Sequence, residues 1–353
     1  MNYLSIDPES PIGQRFKELC EDPRVSDFYL TANEPLAYKS NGQMVYEDTI
    51  YDLAVPENIE PGCVDSAIDL HGRRYRVSQM VTKGKLRWVL RLLPNVIPAP
   101  ESIKVPPAAL KAFLEAKNGL FLICGPTGSG KSTTIASMVM HRAKRRREHV
   151  ISFEDPIEFV YPEDLPSLVS QREMGTDEVD FGKALRAALR QAPDVIILGE
   201  IRDGETAEIA LQASETGHVV VATLHTSSAA QTVQRFLKLI PSDRLESAQA
   251  SLADSLRLIM CQRLMLDDKK GKRFPIHEVL LQYDGVINII RRGDFKKLDQ
   301  ELETGFKRGM YNFERSLQMR EDEGYVSALK VTGSGYAEED VFSYLENQPE
   351  LTR

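Results

Sequence analysis

The chain has 353 residues, enough for two domains with separate cores, and its 27% charged and 42% hydrophobic content is ordinary for a globular protein. A net charge of −8 argues against coating nucleic acid in bulk. No run of about 18 apolar residues suits a bilayer, so a membrane link is expected only through partners.

The opening MNYLSIDPES has neither a basic region nor an apolar core, so no secretory leader is expected. Cys20, Cys63, Cys124 and Cys261 are scattered with no CxxC pair, which fits a reducing cytosol and gives neither a zinc site nor a disulfide framework. SDFYLTAN and PLAYKSNGQMVYE read as strands, the second broken by a hairpin turn at Asn41-Gly42. SAIDLHGRRYRVSQMV and KLRWVLRLLP read as two more, joined by a turn around Lys83-Gly84. Residues 1–93 are therefore expected to form a small α+β domain of mainly antiparallel pairing. Residues 94–107 carry five prolines and continue neither a helix nor a central strand, so they read as a linker.

From 108 to 330 the pattern alternates. Helix PAALKAFLEAK leads to strand LFLIC, a glycine loop and a helix through Arg147. Strand HVISFED, helix FGKALRAALRQA, strand DVIILGE, helix GETAEIALQASET and strand HVVVATL follow. Such alternation predicts an α/β domain of parallel strands with crossover helices. Beyond about 229 the chain reads as mostly helical, ending in a tail, 331–353, expected to be weakly ordered.

Gly125-Pro126-Thr127-Gly128-Ser129-Gly130-Lys131-Ser132 satisfies G-x-x-x-x-G-K-[ST], between an apolar strand and a helix as the mechanism requires. The glycines let backbone N–H groups point at phosphate oxygens, and the helix start adds partial positive charge. Lys131 is expected on the β- and γ-phosphates and the Ser132 hydroxyl on Mg²⁺, with Thr133 completing the binding segment. The strand VIIL ends in Gly199-Glu200, where a carboxylate reaches the metal directly or through water; the more usual aspartate position is occupied by Gly199. Glu154-Asp155-Pro156-Ile157-Glu158 follows VISF at the edge where ligands of open sheets bind, and can polarise a water. On its own that turn also reads as a surface loop, and His225 after VVVATL as a strand-end histidine.

GPTGSGKST, SFEDPIE, APDVIILGEIRD and GHVVVATLHT, in that order, resemble the Walker A, Asp box, Walker B and His box of the secretion-type hexameric ATPases. Within that superfamily the chain resembles the PilT-like ATPases of type IV pilus retraction. The resemblance implies a PAS-like N-terminal domain and a RecA-like P-loop NTPase domain with a helical C-terminal extension. It implies ATP as substrate, where the residues alone leave GTP open, and Mg²⁺ as cofactor. It assigns Glu154 to water activation, Glu200 to the metal and His225 to sensing the γ-phosphate, with His218 in the same box. Arg76 in RYRVS and Arg91 in VLRLLP match the arginines that the family's N-terminal domain sends to the nucleotide. Two strand arginines are otherwise unremarkable, but a guanidinium on the γ-phosphate stabilises spreading charge.

No four-cysteine zinc motif of the secretion and pilus-assembly branches occurs, and GVINIIRRG resembles the retraction group's AIRNLIREG, although it also reads as a helix packed on a core. Between VYEDTIYDL and GCVDSAIDL the chain is shorter than the family's pattern, so the N-terminal domain is trimmed. The implied assembly is a homohexamer at the cytoplasmic face of the inner membrane, turning a platform protein. Pilus retraction, conjugation and protein export stay open as the process driven. A nucleic-acid-stimulated ring ATPase, a helicase or packaging motor, is the alternative. Its support is the run His141-Arg142-Ala143-Lys144-Arg145-Arg146-Arg147, which also reads as a solvated helix end.

Overall fold

Helix α1 (Pro11–Glu21) starts where Ser10 accepts a hydrogen bond from the Gly13 N–H and proline fills the first turn. Its face of Ile12, Phe16, Leu19 and Cys20 is buried at helical spacing, and Phe16 stacks on Phe28 with centroids 4.4 Å apart. The six strands that follow are β1 (Val25–Thr31), β2 (Pro35–Ser40), β3 (Gln43–Ile50), β4 (Cys63–Leu70), β5 (Arg73–Thr82) and β6 (Lys85–Leu92). They form one antiparallel sheet in the order β3-β2-β1-β6-β5-β4. Alternation along β5 and β6 sends Tyr75, Val77, Leu86, Trp88 and Leu90 into the core, while Arg74, Arg76 and Arg91 take the other face. The buried Trp88 Nε1–H donates to Gln79 Oε1 at 3.0 Å.

The computed structural model describes residues 4–325, apart from 5, 23, 41–42, 52, 54–62, 176, 178–179 and 268–271. The expected Asn41-Gly42 turn and the 331–353 tail lie outside the described residues. Reading SAIDLHGRRYRVSQMV as one strand needs correction. His71 and Gly72, at φ 51° and 67°, make a second left-handed two-residue turn between β4 and β5, as Lys83 and Gly84 do between β5 and β6.

The remaining elements in chain order are α2 (Pro107–Glu115), β7 (Gly119–Cys124), α3 (Lys131–Ala143), β8 (His149–Glu154), β9 (Leu168–Glu173) and α4 (Phe181–Ala188). Then come β10 (Val195–Leu198), α5 (Gly204–Glu215), β11 (Val219–Leu224), α6 (Ala229–Leu239), α7 (Leu245–Ser255), β12 (Leu256–Asp267), β13 (Lys272–Leu281), α8 (Asp284–Arg292), α9 (Leu298–Thr304) and α10 (Phe313–Asp322). The second sheet runs β13-β12-β7-β11-β10-β8-β9. Strands β7, β10 and β11 are buried at every position, as parallel strands covered on both faces require. The chain divides into two compact units, Met1–Ile97 with Ile151–Leu165 and Val169–Ala184, and Pro98–Val150 with Pro166–Leu168 and Leu185–Arg353.

Three expectations for this half are corrected. The region beyond 229 holds β12, parallel to β7, and β13, antiparallel to β12, besides its helices. Pro275 inside β13 argues against a strand in sequence, yet β13 is the sheet's edge, where a missing N–H is tolerated. Strand β9 is a further addition. Helix α3 ends at Ala143 rather than Arg147. There Arg142 donates to the Phe113 carbonyl and, at 2.9 Å, to that of Ala116, while Arg146 donates to Leu114 O, which pulls the chain onto the end of α2.

His277 on β13 is fully buried with no partner for either ring nitrogen, and burial beside Arg320 pushes its pKa down to about 3. A histidine held neutral in the fold but free to charge when unfolded adds stability above its ordinary pKa and loses it as pH falls below. We expect this residue alone to cost about 2 kcal/mol of unfolding free energy between pH 7 and pH 5. His277→Leu should change the difference in unfolding free energy between pH 7 and pH 5 by about that amount relative to the wild type, read from denaturant melts at the two pH values; an unchanged difference would refute it.

Candidate functional site

The glycine loop leaves β7 at Cys124, and the register of β7 with β11 places Cys124 opposite Leu224. Gly125, which donates to Leu224 O at 3.3 Å, and His225 therefore leave neighbouring strand ends side by side. One strand further, β10 pairs with β11 and ends just before Glu200. His225 Nε2 lies 3.5 Å from Glu200 Oε1, and Arg202 Nε donates to Glu200 Oε2 at 2.7 Å. Strand alternation and parallel pairing thus bring the Lys131 loop, Glu200 and His225 to one sheet edge. His218 is not among them. It precedes β11 while His225 follows it, so a six-residue strand of roughly 20 Å separates them, and its ring sits on Ala213 O at 3.1 Å.

The loop's shape is dictated locally. Gly125 has φ 144°, and a Cβ there would lie 2.4 Å from the Gln262 carbonyl oxygen and 2.7 Å from Ser129 Oγ. Gly130, at φ 86°, caps α3 in the left-handed region. Gln262 of β12 holds the loop from beneath, donating to Ser129 O at 2.5 Å and accepting from Thr134 Oγ1 at 2.8 Å. Lys131 Nζ donates to Gly125 O at 2.8 Å and Pro126 O at 3.0 Å, so its charge is folded back over the loop. The Ser129 hydroxyl is buried without a hydrogen-bond partner, a cost of about 1–3 kcal/mol that a phosphate oxygen would remove. Exposed Ser132 stands in the first turn of α3.

This donor set fits a nucleotide–Mg²⁺ pair: cationic and amide donors for phosphate, then one hydroxyl and one carboxylate for a hydrated hard cation. Among the described residues no group of three or more His, Cys, Asp or Glu side chains could cage a metal. An ion here would rest on Ser132, Glu200 and the phosphates.

Glu154 ends β8 in the unit that also holds the N-terminal sheet. Its Oε1 accepts from Ser152 Oγ at 2.7 Å and Gln171 Nε2 at 3.1 Å. Burial raises its pKa, outweighing those bonds, and Glu158 adds to the rise. Arg74 ties this segment down: Nε donates to Ile157 O at 2.9 Å, and the guanidinium pairs with Glu173 at 2.8 Å and Asp69 at 2.7 Å. Arg76 and Arg91 are cross-strand partners, and Asp27 is the next residue along that row, bonded to Arg91 Nε at 2.8 Å. Like charges directly opposite repel, and Asp27 offsets part of that.

Sequence reading missed Gln262, Gln171, Arg74 and Arg202. Arg202 lay within the quoted IRD segment and Arg74 within the quoted RYRVS; Gln262 and Gln171 carry no motif and act through side-chain hydrogen bonds to residues far off in sequence. The basic run divides into two paired arginines and three exposed cations, Lys144, Arg145 and Arg147. Arg142, with only 3% of its side chain exposed, forms a two-point pair with Glu148 at 2.7 and 2.8 Å, and Arg146 joins them at 3.2 Å. GVINIIRRG forms α8, which buries Val286 and Ile290, with Arg291 paired to Asp254.

Residues 55–295 match the family described as Type II/IV secretion system protein. The Escherichia coli (strain K12) protein YggR is 38% identical over 315 residues, covering 85% of this chain and 95% of its own. The type IV pilus retraction ATPase PilT of Pseudomonas aeruginosa is 34% identical over 296 residues, 83% of this chain and 84% of its own. A crystal structure of the pilus retraction motor PilT with bound ADP superposes with a TM-score of 0.81 at 32% identity, covering 94% of this chain and 98% of that one. With its Walker loop, Glu200 and His225 converging at one sheet edge, the chain belongs to the type II/IV secretion system family of ATPases.

Proposed function

We propose that this chain is an ATP-hydrolysing motor for type IV pilus retraction or a related secretion or conjugative machine, working as a homohexamer on a membrane platform protein. The observation that carries the reading is the side-by-side exit of Gly125 and His225 from β7 and β11, with Glu200 on the next strand. Peripheral placement at the inner-membrane face follows from the proposed partner; among the described residues no helix is long and apolar enough to cross a membrane.

The loop amides and Lys131 bind and orient the β- and γ-phosphates. Ser132 and Glu200 would hold Mg²⁺, which would neutralise charge developing on the phosphate oxygens. Glu154 accepts a proton from the attacking water as its oxygen bonds to the γ-phosphorus and the bond to the β–γ bridging oxygen breaks. Its raised pKa makes it a better proton acceptor than an exposed glutamate. His225, within reach of Glu200, reads whether the γ-phosphate is present. Arg76 and Arg91 stabilise the transferring phosphoryl group.

Glu154→Gln and Glu200→Gln should each lower kcat by about 10²-fold or more while nucleotide affinity changes little. Phosphate release measured beside nucleotide titration separates the two effects, and near-normal turnover in either variant removes that residue from the mechanism. Arg91→Lys keeps a cation for Asp27 but loses the guanidinium fork, so turnover should fall by about 10³-fold with an unchanged melting temperature. Retained turnover would take Arg91 out of the site.

Arg142 and Arg146 are committed to Glu148, and the exposed Lys144, Arg145 and Arg147 form the solvated helix end rather than a groove for nucleic acid. Single-stranded DNA should therefore leave ATP turnover unchanged; stimulation would favour the helicase or packaging reading. Sedimentation with saturating Mg·ATP tests the ring, which a persistent monomer would exclude.

A further inference from the structure

The turn His225–Ser228 connects the proposed γ-phosphate sensor to α6. Part of its anchoring is local: Thr226 Oγ1 lies 2.7 Å from Thr232 Oγ1, Ser227 Oγ donates to Gln231 at 2.6 Å, and Ser228 caps the Gln231 N–H. Two anchors come from distant strands. Arg263 of β12 donates to Ser227 O at 3.3 Å, and Glu278 Oε1 of β13 accepts the Ala229 N–H at 2.7 Å.

Glu278 sits on one row across the sheet. It is the register partner of Cys261 on β12, Cys261 of Cys124 on β7, and Cys124 of Leu224 on β11. The row ends on the two residues that immediately precede Gly125 and His225. Only 6% of Glu278 is exposed, and among the described residues no ion pair is formed with it. A buried carboxylate with one backbone donor is an expensive cap. A neutral amide would accept the same N–H at lower cost; what the carboxylate adds is a negative charge at the positive end of α6.

We propose that Glu278 is a positioning residue for hydrolysis. Its ionised carboxylate, acting through the Ala229 N–H, fixes the His225 turn beside the glycine loop, and uptake of a proton loosens that turn. The proposal rests on the ATPase reading and on the role given to His225. Burial raises the pKa of Glu278 to about 7, with Asp299 of α9 adding to the rise and Arg263 opposing it. Cys261 faces it from β12 as a thiol held protonated by burial, its neighbour Cys124 and Glu278 itself. The device therefore changes state near neutral pH.

The test is steady-state ATP hydrolysis by the full chain and by Glu278→Gln across pH 6 to 8.5, with KM and melting temperature at each pH. Near pH 8 the glutamine variant should show kcat lower by about fivefold with KM little changed. Its melting temperature should be higher there, because a buried charge is gone. The ratio of wild-type to variant kcat should fall towards one near pH 6, where both carry a neutral side chain. Taking the ratio at each pH cancels the titration of Glu154, common to both. Asp299→Asn, at an exposed position, should move the fall in that ratio to lower pH by removing a negative neighbour. A ratio independent of pH, or identical kcat throughout, overturns the positioning role while leaving the ATPase reading intact. Absence of turnover in the wild type overturns the ATPase reading itself.

Discussion

Parallel pairing of β7 with β11 is the constraint on which the site depends. Register alone sets Leu224 against Cys124, so the glycine loop and the His225 turn must begin at adjacent points on the sheet edge. Side-chain contacts refine this arrangement but do not create it. Slipping the pairing by one residue would send one strand's side chains to the opposite faces of the sheet, and both strands are buried at every position, so the cost is spread over the core. The site is accurate because the hydrophobic interior cannot be repacked one residue at a time.

On the far side of β7, β12 does related work. Gln262 braces the glycine loop and Arg263 the His225 turn, one residue apart and hence on opposite faces of the strand. Arg263 also lies over the Phe313 ring, 4.2 Å from its centroid, so the same side chain links the turn to α10. On β13 the adjacent His277 and Glu278 carry opposite pH signatures. The histidine is held neutral and loses stability in acid; the carboxyl resists ionisation and costs stability as pH rises towards 7. Two neighbouring buried polar groups with opposing slopes flatten the summed dependence between those limits.

The glycine loop, Glu200, His225 and the EDPIE turn were legible because each lies within a few residues of a strand end, and motif and flank coincide. The supporting residues were not. Gln262 is 133 residues from Ser129 and Gln171 is 17 from Glu154, and neither sits in a pattern that a single sequence marks. Strands β12 and β13 were hidden for a physical reason. A short apolar run such as LIMC, Leu258–Cys261, suits a buried strand and a buried helix equally, and α7 ends three residues before it. Pro275 is tolerated in β13 only because that strand is the sheet edge, a position a single sequence does not mark. The basic run was legible as composition and illegible as geometry, since Glu148 is what turns Arg142 inward.

The arginine row of the N-terminal sheet raises a question of competition. Asp27 is buried, and although burial pushes its pKa up, bonds from Ser26 and Arg91 win and hold it below the ordinary value. An ionised Asp27 could be thought to hold Arg91 away from a phosphate. The geometry argues otherwise. Arg91 gives Asp27 its Nε–H, and 67% of its side chain stays exposed. A guanidinium has five donors in a fixed fork, so fixing one edge orients the rest without consuming them. Arg76 stands directly opposite, and two like charges at one cross-strand position are tolerable when an anion is shared between them. Asp27 therefore fixes the orientation of the Arg91 fork without consuming its other donors. Replacing it with asparagine keeps the aim and raises the repulsion, whereas replacing it with alanine loses both.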